Sequence, residues 1–171
     1  MNTIIESGIT LNLPEDRSFR FENCKSYKEI NGFSFKEMDA CWYDNKKQTL
    51  YLVELKDYSQ VPNTREKSRD LITNLVKKST DSLQMVLAML LDTEHGNKFQ
   101  AEIGWDLPVG TSLKFISIIK TESYIKKYFQ SLNQGYKTKF SPFKKLYNPF
   151  IDIKAFVINY DKAKEKFEWV K

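Results

Sequence analysis

The chain has 171 residues, 41% hydrophobic and 29% charged, with 6 glycines and 5 prolines; this is enough for one domain with a real core and excludes a disordered or collagen-like chain. The net charge of +5 is uneven: residues 111–171 hold 13 lysines against 5 acidic residues, while residues 1–110 hold 14 basic against 17 acidic ones. That asymmetry fits a polyanionic partner, and a solvated lysine surface fits it equally well.

No apolar run reaches the ~18 residues of a membrane span, and Met1 to Glu6 lack the basic start and apolar stretch of a secretion signal. The expected compartment is the cytoplasm, with no membrane partner. Cys24 and Cys41 stand in no Cys-x-x-Cys spacing and read as buried free thiols, not as zinc ligands.

In chain order, residues 1–33 read as strands and turns. Ile9 to Leu13 alternates, Pro14-Glu15-Asp16 breaks it, Phe19 to Glu22 alternates again, and Asn31-Gly32 makes a turn. Met38 to Tyr43 is then strand-forming, Asp44 to Lys47 is a turn, and Thr49 to Leu55 is a β-rich apolar run, which together make a hairpin. With the turn at Asn45 to Lys47, paired residue numbers sum to about 92 or 93, so Asp39 falls opposite or beside Glu54. Residues two apart share a strand face, so Glu54 and Lys56 both point to the side Asp39 reaches. Two carboxylates and an ammonium then converge where a hard divalent cation takes oxygen ligands. A Glu-x-Lys triplet on a strand is commonly a solvated face; here it ends the apolar run Leu50 to Val53, where charge is rarely placed without a role.

After a loop containing Pro62, Asn63 with Glu66 three residues on reads as a capped helix start, and the helix runs to about Leu91. Ile72, Val76, Leu83, Val86 and Leu90, with Leu71, Leu75 and Leu87, form its buried stripe; Arg65, Arg69, Lys77 and Lys78 lie on the other face. Lys77 and Asp81 are spaced for a surface ion pair. His95, the single histidine, sits in a polar stretch that reads as loop. Leu113 to Ile119 is the next core strand, and Ser123 to Leu132 a helix. From Gly135 to Asn148, Lys137, Lys139, Lys144 and Lys145 interleave with Tyr136, Phe140, Phe143 and Tyr147. The pattern suits a groove that binds a nucleic-acid backbone, and rather better a core of rings with lysines snorkelling around them. Ile153 to Tyr160 is a last strand. No Gly-x-Ser-x-Gly elbow, phosphate loop or dinucleotide fingerprint competes with the hairpin.

These elements predict an α/β fold: a mixed central β-sheet with the hairpin at its heart, flanked by helices near 65–91 and 123–132. The residues Met38-Asp39 and Glu54-Leu55-Lys56, on either side of a hairpin turn, resemble the PD-(D/E)xK nuclease superfamily, with methionine where the family has proline. The resemblance implies a restriction-endonuclease-like core in one nuclease-like domain spanning residues 1–171. It implies that Asp39, Glu54 and the Leu55 carbonyl ligate magnesium or manganese, and that Lys56 positions the attacking water or stabilises charge on the phosphate. It further implies a phosphodiester-cleaving enzyme, on DNA ahead of RNA, whose following helix lends Lys77, Lys78, Asp81 or Gln84 to the substrate. The family draws one more acid from an earlier helix, which no segment before residue 33 supplies; Glu6, Glu22, Glu29 and Glu37 are the candidates. That gap keeps a second expectation open, a nuclease-fold protein that binds nucleic acid or a partner without cutting. A homodimer, or a subunit of a defence or mobile-element assembly, stays open as well.

Overall fold

The computed structural model describes the chain apart from residues 31, 33, 59–64 and 122–125, and the side chains of residues 65–68 and 126–128 are also outside the described set. In order come β1 (Asn2–Glu6), β2 (Ile9–Leu13), β3 (Ser18–Phe19), α1 (Lys25–Ile30), β4 (Ala40–Asp44), β5 (Thr49–Asp57), α2 (Arg65–Leu90), α3 (Glu94–Ile103), β6 (Ser112–Lys120), α4 (Lys126–Tyr147), β7 (Ile153–Asn159) and α5 (Tyr160–Lys166). The fold is α/β with a mixed sheet in the order β3-β4-β5-β6-β7, flanked by helices.

Connection length sets the strand directions. The short turn after β4 is closed by Asp44, whose Oδ1 accepts the N–H groups of Lys46 and Lys47 at 3.0 and 3.1 Å, and it can only return antiparallel. The stretches from β5 to β6 and from β6 to β7 contain helices, which provide the crossover that parallel pairing needs.

The period of two in each strand then divides the core. Leu50, Leu52, Leu113 and Phe115 face α1 to α4 and pack with Leu83, Val86, Phe99 and Phe140. Tyr51, Val53, Leu55, Ile116 and Ile118 face the other way, where the β1–β2 hairpin and α5 cover them with Ile9, Leu11, Leu13 and Ala163. The run from Leu50 to Val53 is thus buried on both faces, and the next two residues on the helical face are Glu54 and Lys56.

Several expectations need correction. Residues 25–30 form a helix, held at its start by the Glu102 carboxylate, which accepts the Lys25 and Ser26 N–H groups. His95 is helical, in the first turn of α3, and its Nε2 donates to the Ser26 carbonyl at 2.9 Å. The helix expected to end at Leu132 continues to Tyr147 through Gly135 and Pro142. Along it Tyr136 and Phe140 are buried, while Lys137, Lys139, Lys144 and Lys145 are exposed, as the ring-core reading has it. The Asn63 to Glu66 cap, the Pro62 loop and the start of the helix placed at Ser123 lie outside the described residues. Among the described residues no helix is long and apolar enough to cross a membrane.

One glycine is fixed by a close approach. α3 crosses the end of α2 so tightly that a Cβ on Gly96 would lie 2.0 Å from the Ala88 carbonyl oxygen. Gly96→Ala should therefore cost at least about 1–3 kcal/mol in urea unfolding, because backbone has to move. Gly32→Ala, whose Cβ meets nothing within 4 Å, should cost less than about 1 kcal/mol.

Candidate active site

The β4–β5 ladder runs from Asp44↔Thr49 to Ala40↔Val53, every pair summing to 93. One step further, Asp39 stands opposite Glu54. The ladder ends there, and the Asp39 carboxylate takes over as acceptor: Leu55 N–H donates to its Oδ2 at 2.7 Å. Since the N–H and C=O of a strand residue project from the same edge, the Leu55 carbonyl also faces the space that β4 leaves open.

The third participant comes from α2. Lys78 Nζ donates to Asp39 Oδ1 at 3.0 Å and to Glu54 Oε2 at 2.7 Å, bridging both acids with one ammonium. Lys56 Nζ lies 3.1 Å from the other Glu54 oxygen, Oε1. That contact is a charge contact without hydrogen-bond alignment, so Oε1 is a buried carboxylate oxygen with no hydrogen-bond donor. Exposure is graded across the cluster: the Glu54 side chain is 0% exposed, Asp39 13%, Lys78 20% and Lys56 36%. Glu54 forms the floor and Lys56 the mouth.

α2 is fixed over this point by hydrogen bonds to the backbone that leads into β4. Asp81 Oδ2 accepts the Lys36 N–H at 2.8 Å, and Ser82 Oγ accepts the Met38 N–H at 2.9 Å. Lys78, Asp81 and Ser82 are spaced i, i+3, i+4 and share one helix face, so the bonds that position Asp39 also aim Lys78. The Lys77 to Asp81 pair forms at 2.8 Å, yet Asp81 is buried, which corrects the expectation of a surface pair. Lys78 likewise points to the sheet and not to the outer face. Below the acids, Ser79 Oγ lies 2.6 Å from the Tyr136 hydroxyl, and Ser117 is the parallel-strand partner of Glu54. Sequence reasoning missed Ser79, Ser82 and Tyr136. The available signal was two buried serines interrupting the apolar stripe of α2 between Leu75 and Val86.

Burial pushes the Glu54 carboxyl up to about 7, with the Asp39 charge adding to the rise and the Lys78 and Lys56 ammoniums opposing it. Burial by itself would lower Lys78, but the charges of Glu54 and Asp39 and their hydrogen bonds outweigh it and hold the ammonium above the ordinary lysine range.

The candidate acids for a third position are engaged elsewhere. Glu6 and Glu22 pair with Arg20, Glu29 pairs with Lys98, and Glu37 is hydrogen-bonded to the Tyr27 hydroxyl. Gln84 is exposed. On α4, Lys139 reaches Thr73 of α2 at 2.9 Å, and Lys137 and Lys144 line a groove of about 430 Å³ with Lys154 of β7; Lys145 is exposed on the same helix. None of these four α4 lysines is hydrogen-bonded to Asp39 or Glu54 among the described residues.

The donor set can be tested against a divalent cation on this geometry. Two carboxylates already share one cationic atom, a backbone carbonyl faces the same space, and Glu54 Oε1 is an unsatisfied hard oxygen; the residues fit magnesium or manganese. No family model, curated protein or solved structure matches the chain.

Because Glu54 holds its proton more tightly in the folded chain than in the unfolded one, its contribution to stability is full below the ordinary carboxylate range and is lost as pH rises through about 7. In chelator, urea-unfolding free energies should fall across that window. Glu54→Gln should flatten the fall, and an unchanged slope would assign the proton to another group.

Proposed function

We propose that the chain is a metal-dependent nuclease of the PD-(D/E)xK kind, with a restriction-endonuclease-like core, that hydrolyses phosphodiester bonds in nucleic acid, DNA ahead of RNA. The observation that carries this reading is the convergence of Asp39 and Glu54 at the point where β4 stops pairing, with Lys56 two residues along the same strand face.

In this reading Asp39, Glu54 and the Leu55 carbonyl hold magnesium or manganese. The ion, when bound, lowers the pKa of a coordinated water and offsets charge on the leaving oxygen. The chain's own residues do the rest. The Leu55 N–H and the α2 bonds to residues 36 and 38 keep the Asp39 carboxylate in one orientation, so little reorganisation is needed when substrate arrives. Lys56, the most exposed member, orients the attacking water or stabilises charge on the phosphate. The exposed lysines of α4 contribute sequence-independent attraction for the phosphate backbone, which falls with salt.

The rival reading, a nuclease-fold protein that binds nucleic acid or a partner protein without cutting, draws on one specific observation: the Lys78 ammonium bridges both carboxylates. Such a protein would act as a homodimer or within a defence or mobile-element assembly.

Purified protein incubated with linear DNA, circular DNA and RNA, with magnesium, manganese or chelator, separates the two. The nuclease reading predicts cleavage that needs metal and drops on the order of 10²–10⁴-fold in Asp39→Ala and Lys56→Ala. Binding without metal-dependent cleavage would select the rival.

A further inference from the structure

The bridging lysine raises a question that the nuclease reading leaves open, because its ammonium sits where a divalent cation would be held. Lys78 Nζ is 3.0 Å from Asp39 and 2.7 Å from Glu54. An ion at about 2.1 Å from the same oxygens occupies the same space, so ammonium and metal exclude each other. We propose that Lys78 is a resident counter-ion: it holds Asp39 and Glu54 together in the ion-free site and gives its place to the divalent cation, so that metal binding and Lys78 release are one exchange. This rests on the reading that the acid pair takes a metal.

Three features favour exchange over a permanent ion pair. Glu54 is fully buried, so its charge needs a partner at every stage, and a cation that leaves has to be replaced by another. Lys78 is 20% exposed and sits on a flexible four-carbon stem, which gives its ammonium a route to solvent without unpacking the helix. The helix itself is anchored independently, through Asp81 and Ser82, so the lysine can swing while α2 and Asp39 stay in place. Once released at the mouth beside Lys56, the ammonium can meet a phosphate oxygen of the substrate.

Exchange has a thermodynamic consequence. The lysine-bridged state competes with metal, so the apparent metal affinity of the natural chain is lowered by the fraction of time the bridge is closed. Mn²⁺ binding is measured at pH 8.5 without nucleic acid, by calorimetry and by the electron paramagnetic resonance of free Mn²⁺. Lys78→Met and Lys78→Gln should bind Mn²⁺ about tenfold or more tightly than the natural chain. Lys77→Met makes the same charge change one residue away, where the lysine touches Asp81 and neither candidate ligand, and should leave affinity unchanged.

Natural-chain binding that is lost in Asp39→Asn, combined with no gain in either Lys78 variant, overturns the exchange and leaves the metal site standing. No Mn²⁺ binding by any of the proteins overturns the metal site and the exchange with it. The variants leave buried carboxylates without their bridge, so their circular dichroism is followed with and without Mn²⁺. Folding restored by Mn²⁺ supports the exchange. Failure of both variants to fold at any Mn²⁺ concentration overturns it, because the ammonium is then a fixture that metal does not replace.

Discussion

A carboxylate with no exposure at the end of a central strand is the constraint on which the rest of this molecule turns. Glu54 follows four apolar residues buried on both faces, in a place where an ionised group without partners would cost several kcal/mol. Its countercharges come from two directions, Lys56 from its own strand and Lys78 from the helix above, while Asp39, just before β4, is a second acid whose charge opposes Glu54 ionisation. Removing a single partner exposes the cost of the whole arrangement, which is why this cluster defines the site and is more than a surface decoration.

The architecture makes that cluster reproducible. β5 has strand neighbours on both sides for most of its length, but beyond Val53 it pairs only with β6, and the edge so vacated is taken by the Asp39 carboxylate. The helical layer adds two side-chain acceptors, Asp81 and Ser82, for backbone N–H groups at residues 36 and 38, where regular sheet would have supplied carbonyls. The β1–β2 hairpin and α5 seal the opposite face around Tyr51, Val53 and Leu55. The strand that presents Glu54 is therefore clamped from both sides, and α4 adds Tyr136 beneath it. Rigid elements hold the acids, while Lys56 and Lys78 bring their countercharge on long flexible side chains.

Local signals made much of this legible in the amino-acid sequence. The Asp44 turn and the strand-forming residues on either side of it fix the hairpin, and a pairing sum of about 92 or 93 leaves Asp39 opposite or beside Glu54. The apolar stripe of α2 was equally plain. What escaped were features set by tertiary contact. The helix read as ending at Leu132 continues as α4 through Gly135 and Pro142. A Cβ on Gly135 would come within 2.7 Å of Ile72 Cδ1, the tip of a side chain of α2. The polar stretch from Asp92 to Asn97 reads as loop, yet α3 starts within it at Glu94 and buries Gly96, Phe99 and Gln100. α1 is six residues long, below what periodicity can detect, and is held by Glu102 and His95 from a helix that itself escaped notice. Lys78 reads as an outer-face residue by its charge alone, although it stands three residues after buried Leu75 and four before buried Ser82, on the inward face of α2.

The account stands on the acid pair taking a divalent cation at the lysine-bridged point. Anomalous diffraction from crystals grown with Mn²⁺ tests this directly. The predicted result is a manganese peak between the Asp39 and Glu54 carboxylates, within about 2.5 Å of both and of the Leu55 carbonyl, with the Lys78 ammonium withdrawn. Crystals with millimolar Mn²⁺ that show no peak there, and Lys78 still bridging the two acids, would contradict it.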